Sequence, residues 1–375
     1  MTDKVIFEEL SAHNGKKIGY ARLNKVRSLN ALDLDMIQAL MPQLLAWQND
    51  STIAAVLLDG EGDKAFCAGG DVVAMHDAMV KAPKVTPEAV EVFFSEEYRL
   101  DYLIHTFHKP FIVWGNGIVM GGGLGLLCGG SHRIVTESSR IAMPEISIGL
   151  YPDVGGSWFL NKMAPGVGLF LGLTGASINA MDALHVKLAD HFIPHEQKAG
   201  FIEQLLTLPF GETVSLNHQK LTDLCQQYHQ QHLAQLPAAN VKPHEALIQQ
   251  LTASDNIAQI YQAILNHDCG EDKWLARAQQ TLNNGSALTA CLVFEQLKRG
   301  ASKTLAECFR MELIMSCRCA STGEFQEGVR ALLIDKDQNP NWQYASVADV
   351  PAELVEHCFT SPWTDEAHPL KGIGK

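Results

Sequence analysis

The 375-residue chain carries 29 Lys and Arg against 42 Asp and Glu, a net charge of −13, with 46% hydrophobic and 19% charged residues. That is the balance of a globular chain large enough for one big domain with an appendage, or for two domains. The acidic excess argues against a nucleic-acid-binding or anionic-membrane surface, and an anionic ligand would need a local basic patch. No apolar run has the length of a membrane span; the most apolar stretch, residues 111–128, is broken by Asn116 and several glycines. The opening "MTDKVIFEEL" has the order of neither a signal nor a transit peptide, which leads us to expect a cytoplasmic protein. The nine cysteines form no CxxC pair. Cys317 and Cys319 lie close in sequence but lack nearby metal partners, so reduced, buried thiols and no metal are expected.

In chain order, "KVIFEEL" and "KKIGYARLN" flank His13-Asn14-Gly15, a tight-turn signal between two strands. "LDLDMIQALMPQLLAWQ" has apolar residues at helical spacing, with Asp33 or Asp35 as its cap. "TIAAVLLDG" and "PFIVWGNG" read as buried strands, with the amphipathic helix "VEVFFSEEYRLDYLIHTF" between them. "SHRIVTESSRIAM" is strand material again. Alternating strands and helices predict an α/β core with parallel strands over residues 1–200. Residues 201–284 are rich in Gln, His, Leu and Ala and read as a helical insertion, in which His229 and His232 sit on a solvated helix face. Two helices follow in residues 285–375, "SALTACLVFEQLKRG" and "SKTLAECFRMELIMSCRCA", the second capped by Ser302 or Thr304, and the tail after Trp363 is expected to be loose.

Two segments join a strand end to small residues: "DKAFCAGGDV" and "GNGIVMGGGLGLL". Neither is a phosphate loop, since no Gly-Lys-Ser/Thr follows, and "GGGLG" lacks the acidic residue a dinucleotide site needs about 20 residues on. Close packing of a helix on a sheet explains either loop alone. Together, two loops can aim backbone N–H groups at one carbonyl oxygen and form an oxyanion hole. Downstream, "MPEISIGLYPDVGG" sets Glu145 after one proline and Asp153 after another, in surroundings too apolar for carboxylates without a task. First-turn and cap roles are the plain alternatives for these two acids.

The motifs "AFCAGGD", "GIVMGGGLGL" and "MPEISIGLYPDVGG" resemble the enoyl-CoA hydratase/isomerase (crotonase) superfamily. "FFSEEYRLD" and "TGEFQEGVRALLIDKDQNPNW" resemble its 3-hydroxyisobutyryl-CoA hydrolase branch. The resemblance implies a crotonase-like ββα spiral core with a mainly helical C-terminal region. It implies Ala68 and Gly122 as oxyanion donors, Glu145 as base or nucleophile, and Asp153 holding the substrate hydroxyl or a water. Glu97, Gly69, Gly70, Asp71 and Gly121 would line the substrate, and Lys336 is either a CoA-phosphate partner or a surface lysine. It implies an acyl-CoA substrate and no resident cofactor, and it leaves homo-oligomerisation open. A hydratase of this superfamily pairs two glutamates; Glu145 matches one, and Gly125 stands where the other belongs. Hydration by paired carboxylates is therefore disfavoured, and cleavage of a short hydroxyacyl-CoA thioester is expected. An isomerase on the same fold and a non-catalytic acyl-CoA-binding protein are the competing readings.

Overall fold

A computed structural model describes residues 3–375. The chain divides into two compact units, and both are assembled from separated stretches of sequence. One comprises residues 3–70, 100–141 and 178–240, the other residues 71–99, 142–177 and 241–375. The boundary expected near residue 200 is not where the units part. Residues 201–240 belong with the strands of the first unit, and residues 142–177 belong with the C-terminal helices.

Among the described residues there are nine strands, all in the first unit except the last residue of the eighth: β1 (Val5–Ser11), β2 (Lys17–Leu23), β3 (Ile53–Gly60), β4 (Ala65–Cys67), β5 (Phe111–Gly115), β6 (Ile118–Met120), β7 (His132–Val135), β8 (Arg140–Ala142) and β9 (His191–Phe192). Six of them form a sheet in the order β1-β2-β3-β5-β7-β9, and β4-β6-β8 form a smaller one. β1 and β2 are antiparallel around the turn at Asn14, whose φ is 61°. The other pairs of the large sheet are parallel. Every residue of β3 and β5 is buried, which is why both read as unbroken apolar runs rather than as alternation. The helix Leu34–Asn49 is capped by Asp33, which accepts the Met36 N–H, and it buries Met36, Ile37, Leu40, Leu44 and Trp47.

The Gln/His-rich stretch joins this unit through the helices Lys198–Thr207 and Val214–His232. Phe201, Leu205, Leu221, Leu224 and Tyr228 share a core with Ile112, Trp114 and Ile134 of the sheet. Leu221, Leu224, Cys225 and Tyr228 follow the i, i+3, i+4, i+7 pattern of a helix with one buried stripe. His229 departs from its expected solvated setting, since its Nδ1 accepts the Phe192 N–H at 2.9 Å and anchors the helix to β9.

The second unit is mainly helical. Its long helix Leu305–Thr322 opens on a capping box in which Thr304 and Glu307 bond each other's backbone N–H. The tail after Trp363 is packed rather than loose. Leu370 is buried, Arg99 donates to the Pro369 carbonyl oxygen at 2.7 Å, and Arg310 donates to that of Ile373 at 2.9 Å. No helix among the described residues is long and apolar enough to cross a membrane.

Candidate active site

In the first unit, β4 and β6 pair in parallel, so the glycine loops that follow them leave the small sheet side by side. Their backbones touch: a Cβ on Gly123 would lie 2.2 Å from the Cys67 carbonyl oxygen, so only glycine fits. Gly121 caps the helix Gly122–Gly129, which leaves the Gly122 N–H at the positive end of the helix without a partner inside it.

Ala68, expected as the second donor, is already engaged, because its N–H donates to the Leu29 carbonyl oxygen at 3.0 Å. The Gly69 carbonyl oxygen is likewise held, by the Leu32 N–H at 2.8 Å. Gly70 comes next, and its N–H donates to no acceptor among the described residues. Gly70 and Gly122 therefore each offer an N–H group that no acceptor among the described residues takes. Gly125 is buried within the glycine helix and offers no side chain.

The acids lie in the second unit. Glu145 opens a short 3-10 turn, Glu145–Ile148, that ends at Gly149 with φ 70°. This turn is clamped by the C-terminal motif: a Cβ on Gly328 would stand 2.3 Å from the Ile148 carbonyl carbon. The physical role of "TGEFQEGVRALL" is thus to carry the Glu145 turn. Asp71 begins this unit at the start of the helix Val72–Lys81, and Lys336 is exposed in a loop with φ 57°.

Asp153 sits in a turn in which Val154 takes φ 49°, a costly conformation for a β-branched residue that must be imposed from outside. The constraint comes from two buried side chains. Glu312 accepts the Gly155 and Ser157 N–H groups, each at 2.8 Å, and Gln296 donates to the Pro152 carbonyl oxygen at 2.5 Å and to Ser157 Oγ at 2.9 Å. Tyr98 donates to Asp153 Oδ2 at 2.6 Å. Its hydroxyl also meets Ser316 Oγ at 2.7 Å, and Ser316 Oγ meets the Tyr151 hydroxyl at 2.7 Å. Tyr151 in turn donates to the Glu312 carbonyl oxygen.

Glu97, Glu145 and Asp153 are each at most 5% exposed. Glu97 Oε1 and Glu145 Oε2 are buried with no hydrogen-bond partner among the described residues, an arrangement that calls for a ligand. Burial pushes the Glu145 pKa well above the ordinary carboxylate range, with Asp153 and then Glu97 adding like charge. Glu97 is raised well above it too, by burial and by Asp153. Asp153 rises only to about 6, because the Tyr98 and backbone hydrogen bonds work against its burial. Glu312 is pushed by burial to about 8.

Tyr98, Tyr151, Gln296, Glu312 and Ser316 were not foreseen. Glu312 and Ser316 lie one helical turn apart on a largely buried helix, and that polar pair was the available signal.

The first unit thus offers N–H donors on two glycine loops, and the second a set of buried acids, one of them on a proline turn. The chain belongs to the enoyl-CoA hydratase/isomerase family, whose model matches residues 18–359. It is 38% identical over 358 residues to the mitochondrial 3-hydroxyisobutyryl-CoA hydrolase of Danio rerio, covering 96% of this chain and 90% of that protein. It is 35% identical to the Homo sapiens protein of the same name, covering 92% and 86%. Among solved structures it is similar to a carnitinyl-CoA dehydratase from Mycobacterium thermoresistibile, with TM-score 0.83, 30% identity and coverage of 96% and 97%. It is also similar to an enoyl-CoA hydratase from Rhodobacter sphaeroides 2.4.1, with TM-score 0.80, 30% identity and coverage of 96% and 98%. The crotonase-type α/β fold with a mainly helical C-terminal region is confirmed.

Proposed function

We propose that the chain hydrolyses the thioester of a short hydroxyacyl-CoA, 3-hydroxyisobutyryl-CoA foremost, releasing 3-hydroxyisobutyrate and CoA. The observation that carries this reading is one buried glutamate, Glu145, with an unpartnered oxygen, and a glycine at position 125 where paired-carboxylate hydration needs a second acid. The similarity to the curated hydrolases supports the same choice.

Gly70 and Gly122 are the proposed donors to the thioester oxygen, stabilising the charge that develops as the carbonyl becomes tetrahedral. Glu145 either removes a proton from the attacking water or attacks the carbonyl itself to form an anhydride that water opens. In both routes the thiolate of CoA leaves; on the general-base route water supplies the product's new carboxyl oxygen, whereas opening of the anhydride at the Glu145 carbonyl leaves a Glu145 oxygen on the product and water's oxygen on Glu145. Asp153 accepts the substrate hydroxyl, and Glu97 completes the polar lining. Gly69, Asp71 and Gly121 stay with the proposed lining. Substrate lies against backbone at these glycines, where a side chain would intrude. The reaction needs no resident cofactor. A cytoplasmic setting and a role in valine breakdown belong to the same proposal, and the buried free cysteines suit a reducing compartment.

The likeness to a carnitinyl-CoA dehydratase and an enoyl-CoA hydratase favours a second reading, addition or removal of water at a double bond. Free thiol release from 3-hydroxyisobutyryl-CoA tests the first reading. Single turnover in ¹⁸O-water separates its two routes, since label appears in the Glu145 carboxylate only through the anhydride.

A further inference from the structure

Four oxygen–oxygen contacts run in line from Asp153 Oδ2 to Tyr98, Ser316, Tyr151 and the Glu312 carbonyl oxygen. All are at hydrogen-bond distance, and all five residues are buried. Only three hydroxyl hydrogens are available for the four contacts. The far end fixes the direction, because a carbonyl oxygen accepts only, so Tyr151 spends its hydrogen on Glu312. Ser316 then has to donate to Tyr151, and Tyr98 to Ser316. The contact between Tyr98 and Asp153 is filled only by a hydrogen from Asp153. With Asp153 ionised, Tyr98 donates to Oδ2 instead, and one contact further along holds two oxygens with no hydrogen between them.

We propose that Tyr98, Ser316 and Tyr151 are positioning residues that form a directional hydroxyl chain favouring a proton on Asp153, and that Asp153 gains or loses this proton together with reversal of the chain. The groups acting on Asp153 or acted on by it are all acids: Glu97 and Tyr98 from the helix Glu88–His105, Glu145, Tyr151, and Glu312 and Cys319 from the helix Leu305–Thr322. A proton held on Asp153 lets Glu145 carry the negative charge, which the hydrolase reading requires of it; the significance of the chain, though not its existence, rests on that reading.

The chain predicts a pattern of signs that loss of packing does not. Ser316→Ala and Tyr151→Phe each relieve the shortage of hydrogens in the ionised state, so each lowers the Asp153 pKa. Tyr98→Phe removes the one side-chain donor to the carboxylate among the described residues, so it raises that pKa. Each shift is about one pH unit, the size of one hydrogen bond made or lost. The experiment is infrared titration of the protonated-carboxyl C=O band of Asp153, assigned by its loss in Asp153→Asn. Midpoints moving down in Ser316→Ala and Tyr151→Phe, and up in Tyr98→Phe, are expected. Ser316→Ala and Tyr151→Phe predict the same sign, so either one alone suffices if the other does not fold. An unmoved or raised midpoint in the variant that folds overturns the chain. The readout needs no turnover, so a protein without thioesterase activity would overturn the hydrolase reading while leaving this test intact.

Discussion

Gly328→Ala tests whether the C-terminal motif carries the Glu145 turn. The added Cβ would stand 2.3 Å from the Ile148 carbonyl carbon, 2.4 Å from its Cα and 2.5 Å from its oxygen. All three are backbone atoms, so no side chain can rotate away. Ordinary contact begins near 3.4 Å, and the turn has to move by about 1 Å. Overpacking of this kind costs about 1–3 kcal/mol of stability. A displacement of ~1 Å at a catalytic group costs on the order of a hundredfold in rate. The assay is thiol release at saturating hydroxyacyl-CoA, beside thermal melting of the same preparation. A fall of about a hundredfold in kcat in a variant still folded at the assay temperature is expected. Wild-type kcat would refute the reasoning, because it would show that the turn and the motif move independently.

Asp153→Asn should erase the preference for hydroxyacyl over plain acyl thioesters of equal length, a loss of about 1–3 kcal/mol of discrimination read as a ratio of kcat/KM values. An equal fall for both substrates would take the hydroxyl contact away from Asp153. The pH profile of kcat/KM should fall on its acid side well above the ordinary carboxylate range. Glu145 works ionised, its pKa is raised, and activity is lost as pH drops through that raised value. Once Asp153 ionises its charge raises Glu145, so Asp153→Asn should move the acid limb to lower pH, whereas an upward shift would contradict the coupling. Glu312→Gln keeps the shape but turns an amide N–H toward one of two buried N–H donors, so about 1–3 kcal/mol of stability should be lost in denaturant unfolding. An unchanged midpoint would mean that Glu312 does not hold the Asp153 turn.

The sequence made legible what depends on local pattern. The apolar runs of β3 and β5, the Asp33 and Thr304 caps and the Asn14 turn all appear where period and turn chemistry put them. Long-range assembly was not legible. Residues 201–240 are polar enough to read as a separate insertion, yet one stripe through Leu221, Leu224 and Tyr228 is enough to bind them to the sheet. The tail after Trp363 is held by Arg99 and Arg310, far away in sequence, and nothing local announces those partners. At the site, Glu145, Asp153 and Glu97 were found as acids in apolar or matched settings, and they proved to be buried. A motif shows which backbone turns at the surface but not which N–H already has an acceptor; at Ala68 the Leu29 carbonyl oxygen takes it. The hydroxyls of Tyr98, Tyr151 and Ser316 could be recognised as a chain only once three segments had been brought together.

Thiol release from 3-hydroxyisobutyryl-CoA, measured for the wild type and Glu145→Gln beside hydration of crotonyl-CoA, tests the central claim most directly. The account predicts rapid release by the wild type, negligible hydration, and a Glu145→Gln variant that binds the thioester but has lost kcat. Hydration of crotonyl-CoA without thiol release, or near-wild-type kcat in Glu145→Gln, would contradict it.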